Sequence, residues 1–88
     1  MKYKITLTTK PGQLPVGTVI TLYKEVSNIF DGEAISVFSA GEKVGYVSAF
    51  YKTRKPGTFS AGRIYDKLGY ETKAVVVADQ IAEVEGRE

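Results

Sequence analysis

Short runs of alternating polar and apolar residues, each stopped by a turn signal, constrain this chain more than any other feature of it. Tyr3, Ile5 and Leu7 alternate with Lys4, Thr6 and Thr8, the period of two that buries one face of a strand and leaves the other in water. Lys10-Pro11-Gly12 then turns the chain. After Pro15 and Gly17, the segment Thr18 to Lys24 is rich in β-branched and aromatic residues and reads as a second strand, with Ile20 and Leu22 toward the core. Ile35 and Val37 share one face of a third, from Ala34 to Ser39. Ala40-Gly41-Glu42 has the length of a hairpin connection, its glycine supplying a positive φ, and leads into Lys43 to Ala49. The second, third and fourth strands are therefore predicted to form a meander.

Beyond them, Phe50 to Gly57 is a basic, aromatic connector in which Pro56 disfavours regular structure. Ser60 is placed to cap a helix that carries Ile64 and Leu68 at i, i+4 spacing and ends at Gly69, with Lys67 in its last turn. Ala74 to Ala78 is apolar without alternation, the pattern of a strand covered on both faces. Gln80 to Glu85 either continues that strand past a bulge or pairs separately, and Gly86-Arg87-Glu88 is expected to fray. Lys-Pro-Gly occurs at Lys10 and again at Lys55, but the flanking residues do not match, so these are two turns and not a repeat.

The 88 residues, 43% of them hydrophobic, suffice for one domain spanning 1–88, and a chain of this size buries only about 60% of its unfolded surface. Five or six short strands with one or two short helices make a strongly bent sheet, and such sheets close to remove exposed edges. The expected fold is mainly β, a small OB- or SH3-like barrel.

Composition limits the chemistry. The chain has neither cysteine nor histidine, which removes Ser-His-Asp and Cys-His nucleophilic catalysis and the common zinc sites, because each needs an imidazole or a thiolate. The N-terminus alternates instead of entering an apolar stretch, and no run approaches membrane-spanning length. A cytoplasmic protein without membrane contact or cofactor is expected. A formal net charge of +2 does not by itself advertise nucleic-acid binding, so any such site depends on local clustering.

Two clusters stand out. Glu25, Asp31 and Glu33 fall within one excursion from the sheet; they suit a hard cation or general-base chemistry, and equally an ordinary turn in which Asn28 and Asp31 bond their own backbone and Asp31-Gly32 reverses the chain. Lys52, Arg54 and Lys55 lie beside Phe50, Tyr51 and Phe59, with Arg63, Tyr65 and Lys67 following. Cations that track phosphates, interleaved with rings that stack on bases, are what single-strand binding requires; the same residues would also serve as a solvated face and helix packing. Ser60-Ala61-Gly62-Arg63 reads either as an anion-binding helix start or as a plain serine cap.

Taken in order, Glu25, Asn28, Phe30-Asp31, Ala34-Ile35, Val37 and Lys43-Val44-Gly45-Tyr46-Val47 resemble the pattern of the HIRAN domain, a small OB-related β-barrel found attached to DNA-repair helicases and standing alone in bacteria. Thr58 to Lys67 is also similar to a stretch of small Gram-positive HIRAN-like proteins. The resemblance implies a non-enzymatic module that binds the 3′ end of single-stranded DNA. It assigns base stacking to Phe30, contact with the terminal 3′-hydroxyl to Asp31, and a place in the nucleic-acid site to Tyr46; the basic cluster read above adds Lys52, Arg54, Lys55 and Arg63 as the groups that attract phosphate, Lys52 or Arg54 substituting for the family's lysine. An aspartate accepts a hydrogen bond from a free hydroxyl and repels a phosphate in its place. Where the family carries Gly-x-Arg-Tyr at the end of the first strand, this chain has Leu7-Thr8-Thr9-Lys10, and Ser48 and Ala49 stand where a lysine is expected. The alternative is a protein-interaction module on the same barrel, such as a mobile-element-encoded inhibitor of a host nucleic-acid enzyme.

Overall fold

The computed structural model describes all 88 residues, Met1 to Glu88. Six strands, β1 (Lys2–Thr6), β2 (Val19–Lys24), β3 (Ile35–Ser39), β4 (Glu42–Tyr46), β5 (Glu71–Ala78) and β6 (Ile81–Glu85), pair antiparallel in the order β1-β6-β5-β2-β3-β4. The meander β2-β3-β4 is held by Leu22 opposite Val37 and Val37 opposite Gly45. At its β3–β4 corner, Ala40 and Gly41 have φ of 51° and 81°; two positive values in succession match the right-handed twist of the flanking strands.

The two outer strands of that order meet just beyond their ends. Leu7 bridges Val47, the Thr8 N–H donates to the Tyr46 carbonyl at 2.8 Å, and the Ser48 N–H donates to the Thr6 carbonyl at 2.8 Å. This closes the sheet into a small barrel, the mainly β architecture the alternation predicts. Phe59 runs parallel to Ile5 and donates its N–H to the Lys4 carbonyl at 2.8 Å, which covers more of the β1 edge. Ile5, Leu7, Ile20, Leu22, Val37 and Val84 fill the interior, and the segment after the connector adds Ala61, Ile64 and Leu68 to the same cluster.

Three local expectations change, and one open choice is decided. The helix is shorter than its spacing suggests: α1 covers Ala61–Ile64, Tyr65–Lys67 is a single 3₁₀ turn, and Leu68 is already extended. Ser60 does cap it, accepting from the Arg63 N–H at 3.4 Å. Gly62, a poor helix former in the middle of the element, and the need to bring Leu68 into the core end the helix early. β5 is covered on one face only: Ala74 and Val76 are buried, whereas Val75 and Val77 are exposed, because a barrel has a single interior and no helix lies over this part of its outside. Ile81 to Glu85 pairs as a separate strand with β5 across a turn in which Gln80 has a φ of 60°. The C-terminus is pinned: the Met1 amine donates to the Gly86 carbonyl at 2.9 Å, the Tyr3 hydroxyl to the Arg87 carbonyl, and the Arg87 N–H to the Lys67 carbonyl at 2.8 Å. No helix is long and apolar enough to cross a membrane.

Candidate nucleic-acid interface

The excursion between β2 and β3 is organised by one side chain. Asn28 Oδ1 accepts the backbone N–H groups of Phe30 at 2.9 Å and Asp31 at 3.0 Å, while its Nδ2 donates to Glu25 Oε1 at 3.1 Å. Asp31 Oδ1 in turn accepts the Glu33 N–H at 2.9 Å. These are the local side chain to backbone bonds that favour Asn and Asp in turns. The loop base is tied by the Glu25 N–H to the Ala34 carbonyl at 2.9 Å.

Turned this way, the loop separates its carboxylates. Glu25 Oε2 accepts from Lys43 Nζ at 2.6 Å, and the same ammonium donates to the Tyr46 hydroxyl at 2.6 Å. The hydrogen bond from Lys43 is the main reason the Glu25 carboxyl sits below its ordinary range, with desolvation opposing and Asn28 assisting; the bond to Glu25 correspondingly raises Lys43. Glu33 lies against α1, with its carboxylate oxygen 3.1 Å from where a β-carbon on Gly62 would stand. Asp31 keeps its second oxygen unbonded within the protein. The chain forms no cluster of three or more potential metal-ligating side chains.

Phe30 projects from this loop with 94% of its surface exposed. Its ring borders a hollow of about 390 Å³ together with Asp31, Glu33, Ala49, Phe50, Ser60 and Gly62. A second hollow of about 310 Å³ lies beside it, lined by Asp31, Tyr46, Phe50, Thr8 and Thr53 among others. Asp31, Ala49 and Phe50 belong to both, so the two form one trough. Thus Phe30 and Tyr46 border the two halves of the trough, and Asp31 lines both. Phe50, 73% exposed, joins them, although as a connector residue it stands out in the sequence only as a ring beside the basic cluster. The available signal was a large apolar side chain on a Pro- and Gly-bounded segment with no strand partner to bury it.

The cations do not line this trough. Lys52 is exposed and makes no hydrogen bond or ion pair. The Arg54 guanidinium donates to the Thr58 carbonyl, Lys55 Nζ donates to the Asp79 carbonyl at 2.8 Å, and the Arg63 guanidinium lies 4.8 Å from the Phe59 ring centroid. Despite the positive net charge, the trough combines three aromatic rings with two carboxylates, Asp31 and Glu33. Such walls stack on a flat ring and accept from hydroxyl or ammonium donors, and they repel an anion placed between them. No family model, curated protein or solved structure matches this chain.

Proposed function

We propose that the chain is a HIRAN-like, non-enzymatic module that binds the 3′ end of single-stranded DNA. The terminal base stacks among Phe30, Phe50 and Tyr46, and the free oxygen of Asp31 accepts the hydrogen bond of the 3′-hydroxyl. Lys52, Arg54, Lys55 and Arg63 draw the strand toward the trough as a diffuse positive field. A cytoplasmic role in handling DNA ends during repair follows from this reading.

The observation that carries it is the exposure of Phe30 next to a half-used carboxylate, across a trough from Phe50. An apolar ring held at 94% exposure by a hydrogen-bonded loop is displayed, not packed. A fluorescence-anisotropy titration with a short oligonucleotide tests the proposal. Binding is expected with a 3′-hydroxyl end and abolished by a 3′-phosphate or by Asp31→Ala, and it weakens as salt rises. Equal binding of hydroxyl and phosphate ends would remove the end-reading claim.

One observation favours a second reading. Asp31 and Glu33 line the trough and no lysine or arginine does, which suits a partner protein that presents a cationic side chain among the rings. Failure of every oligonucleotide to bind at low salt, together with recovery of one stoichiometric protein partner that Asp31→Ala releases, would decide for it.

A further inference from the structure

End reading through Asp31 leaves one carboxylate of the trough without a task. Glu33 borders the same hollow as Phe30, Asp31, Phe50 and Ser60, and its Oε1 lies 3.1 Å from where a β-carbon on Gly62 would stand. Gly62 borders that hollow too, so the missing side chain leaves the carboxylate room at the hollow's wall. Glu33 enters none of the ion pairs in the protein. What ties it to Asp31 is its backbone N–H, which donates to Asp31 Oδ1 at 2.9 Å and leaves the Glu33 side-chain oxygens to accept from a ligand.

That bond also fixes how the two acceptors stand. With Oδ1 held against the backbone of residue 33, the Asp31 carboxylate sits at the root of the Glu33 side chain, and both line one hollow beside a displayed ring. Ser60 adds a donor. Its Oγ accepts the Arg63 N–H at 3.4 Å, which leaves its own O–H to give. Two acceptors and a hydroxyl donor next to a stacking face match a vicinal diol, because each hydroxyl of a diol both donates and accepts. A ribonucleoside at a 3′ end carries that diol, whereas a deoxyribonucleoside lacks the 2′-hydroxyl.

We infer that the trough binds a terminal ribonucleoside more tightly than a terminal deoxyribonucleoside, with Asp31 accepting from the 3′-hydroxyl and Glu33 from the 2′-hydroxyl. The inference rests on the reading of the trough as a 3′-end site and widens its substrate class to RNA ends. It gives the two carboxylates different work. Asp31 distinguishes a free end from a phosphorylated one, and Glu33 distinguishes the sugar that the end carries.

Fluorescence-anisotropy titrations of the whole protein with DNA oligonucleotides that differ only in the last sugar test it, since one terminal ribonucleotide changes neither the charge nor the rest of the strand. The ribose end is expected to bind about tenfold tighter than the deoxyribose end, the gain of one hydrogen bond to a charged acceptor. A 2′-O-methyl end should bind no tighter than the deoxyribose end, because the methyl group replaces the donated proton. In Glu33→Ala, checked for folding by its thermal transition, the ratio of ribose to deoxyribose affinity should fall toward one. Equal affinities in the parent protein, with a 3′-phosphate end still rejected, would overturn the diol site and leave the end-binding reading standing. A 2′-O-methyl end that binds as tightly as ribose, or a tenfold ratio that survives Glu33→Ala, would also overturn it. No binding of any of these oligonucleotides would overturn both.

Discussion

A β-carbon placed on Gly45 would stand 2.8 Å from the carbonyl oxygen of Thr8. That contact lies at the seam where β4 meets the end of β1, one residue before the Tyr46 carbonyl accepts from the Thr8 N–H. The β-carbon is fixed by its own backbone and the oxygen it meets is backbone too, so no side-chain rotation relieves the clash. The glycine of the Gly45-Tyr46 step is what allows the barrel to close, and closure sets Tyr46 beside Thr8 in the trough. Gly45→Ala is expected to destabilise the protein by about 1–3 kcal/mol, as overpacking of a tight site does. Urea unfolding measures this; a midpoint equal to that of the parent would show that the seam can yield.

Phe50→Ala separates display from packing. The ring is mostly exposed, and surface substitutions of this kind change stability by no more than about 0.5 kcal/mol. Loss of one stacking partner should weaken single-stranded DNA binding by about 1–3 kcal/mol. Anisotropy and thermal denaturation on the same sample check both halves. A variant that loses stability instead of affinity would return Phe50 to a structural role.

The Glu25–Lys43 pair has a defined pH signature. Its carboxyl is held below the ordinary 4.5, first by the hydrogen bond from Lys43. The unfolded chain therefore binds the proton more readily, and the pair's contribution is present above 4.5 and lost as pH falls through the lower folded value. Lys43 is raised above its ordinary 10.5, first by its bond to Glu25, so its contribution is present below 10.5 and lost as pH rises through the higher folded value. Solvent screening keeps the effect small. Urea midpoints across the acid range should fall less steeply for Glu25→Gln than for the parent, and an unchanged acid slope would show that other carboxylates dominate.

Thr9→Val should raise stability. The substitution keeps the shape of the side chain and removes a buried hydroxyl that has no partner, a defect of about 1–3 kcal/mol. An upward shift of the thermal midpoint is expected. A lowered one would mean that the hydroxyl is satisfied in solution, by water or by a rotated neighbour.

Much of the scaffold was legible in local pattern. The alternation of Tyr3, Ile5 and Leu7, the positive φ of Gly41 at the β3–β4 corner and the cap at Ser60 depend on neighbours a few residues away, and each appears in the structure. The early end of α1 was less legible, because Ile64 and Leu68 carry helical spacing while Leu68 is drawn into the core as an extended residue. Val75 and Val77 mislead for a related reason. An apolar run records a preference for burial, not the existence of something to bury against, and the outside of this barrel supplies nothing there.

The candidate site divides along the same line. Sequence alone determined the Asn28–Asp31 turn, since Asn28 bonds backbone groups only two and three residues ahead. That Phe50 and Tyr46 line one trough with Phe30, that Lys55 bonds the Asp79 carbonyl and lines a hollow with Gln80 and not with Asp31, and that Thr9 is left without a partner were decided by the joining of Leu7 to Val47. Barrel closure is a contact between the ends of a sheet, and its register follows from the twist and packing of every strand between them. No local run of residues contains that information.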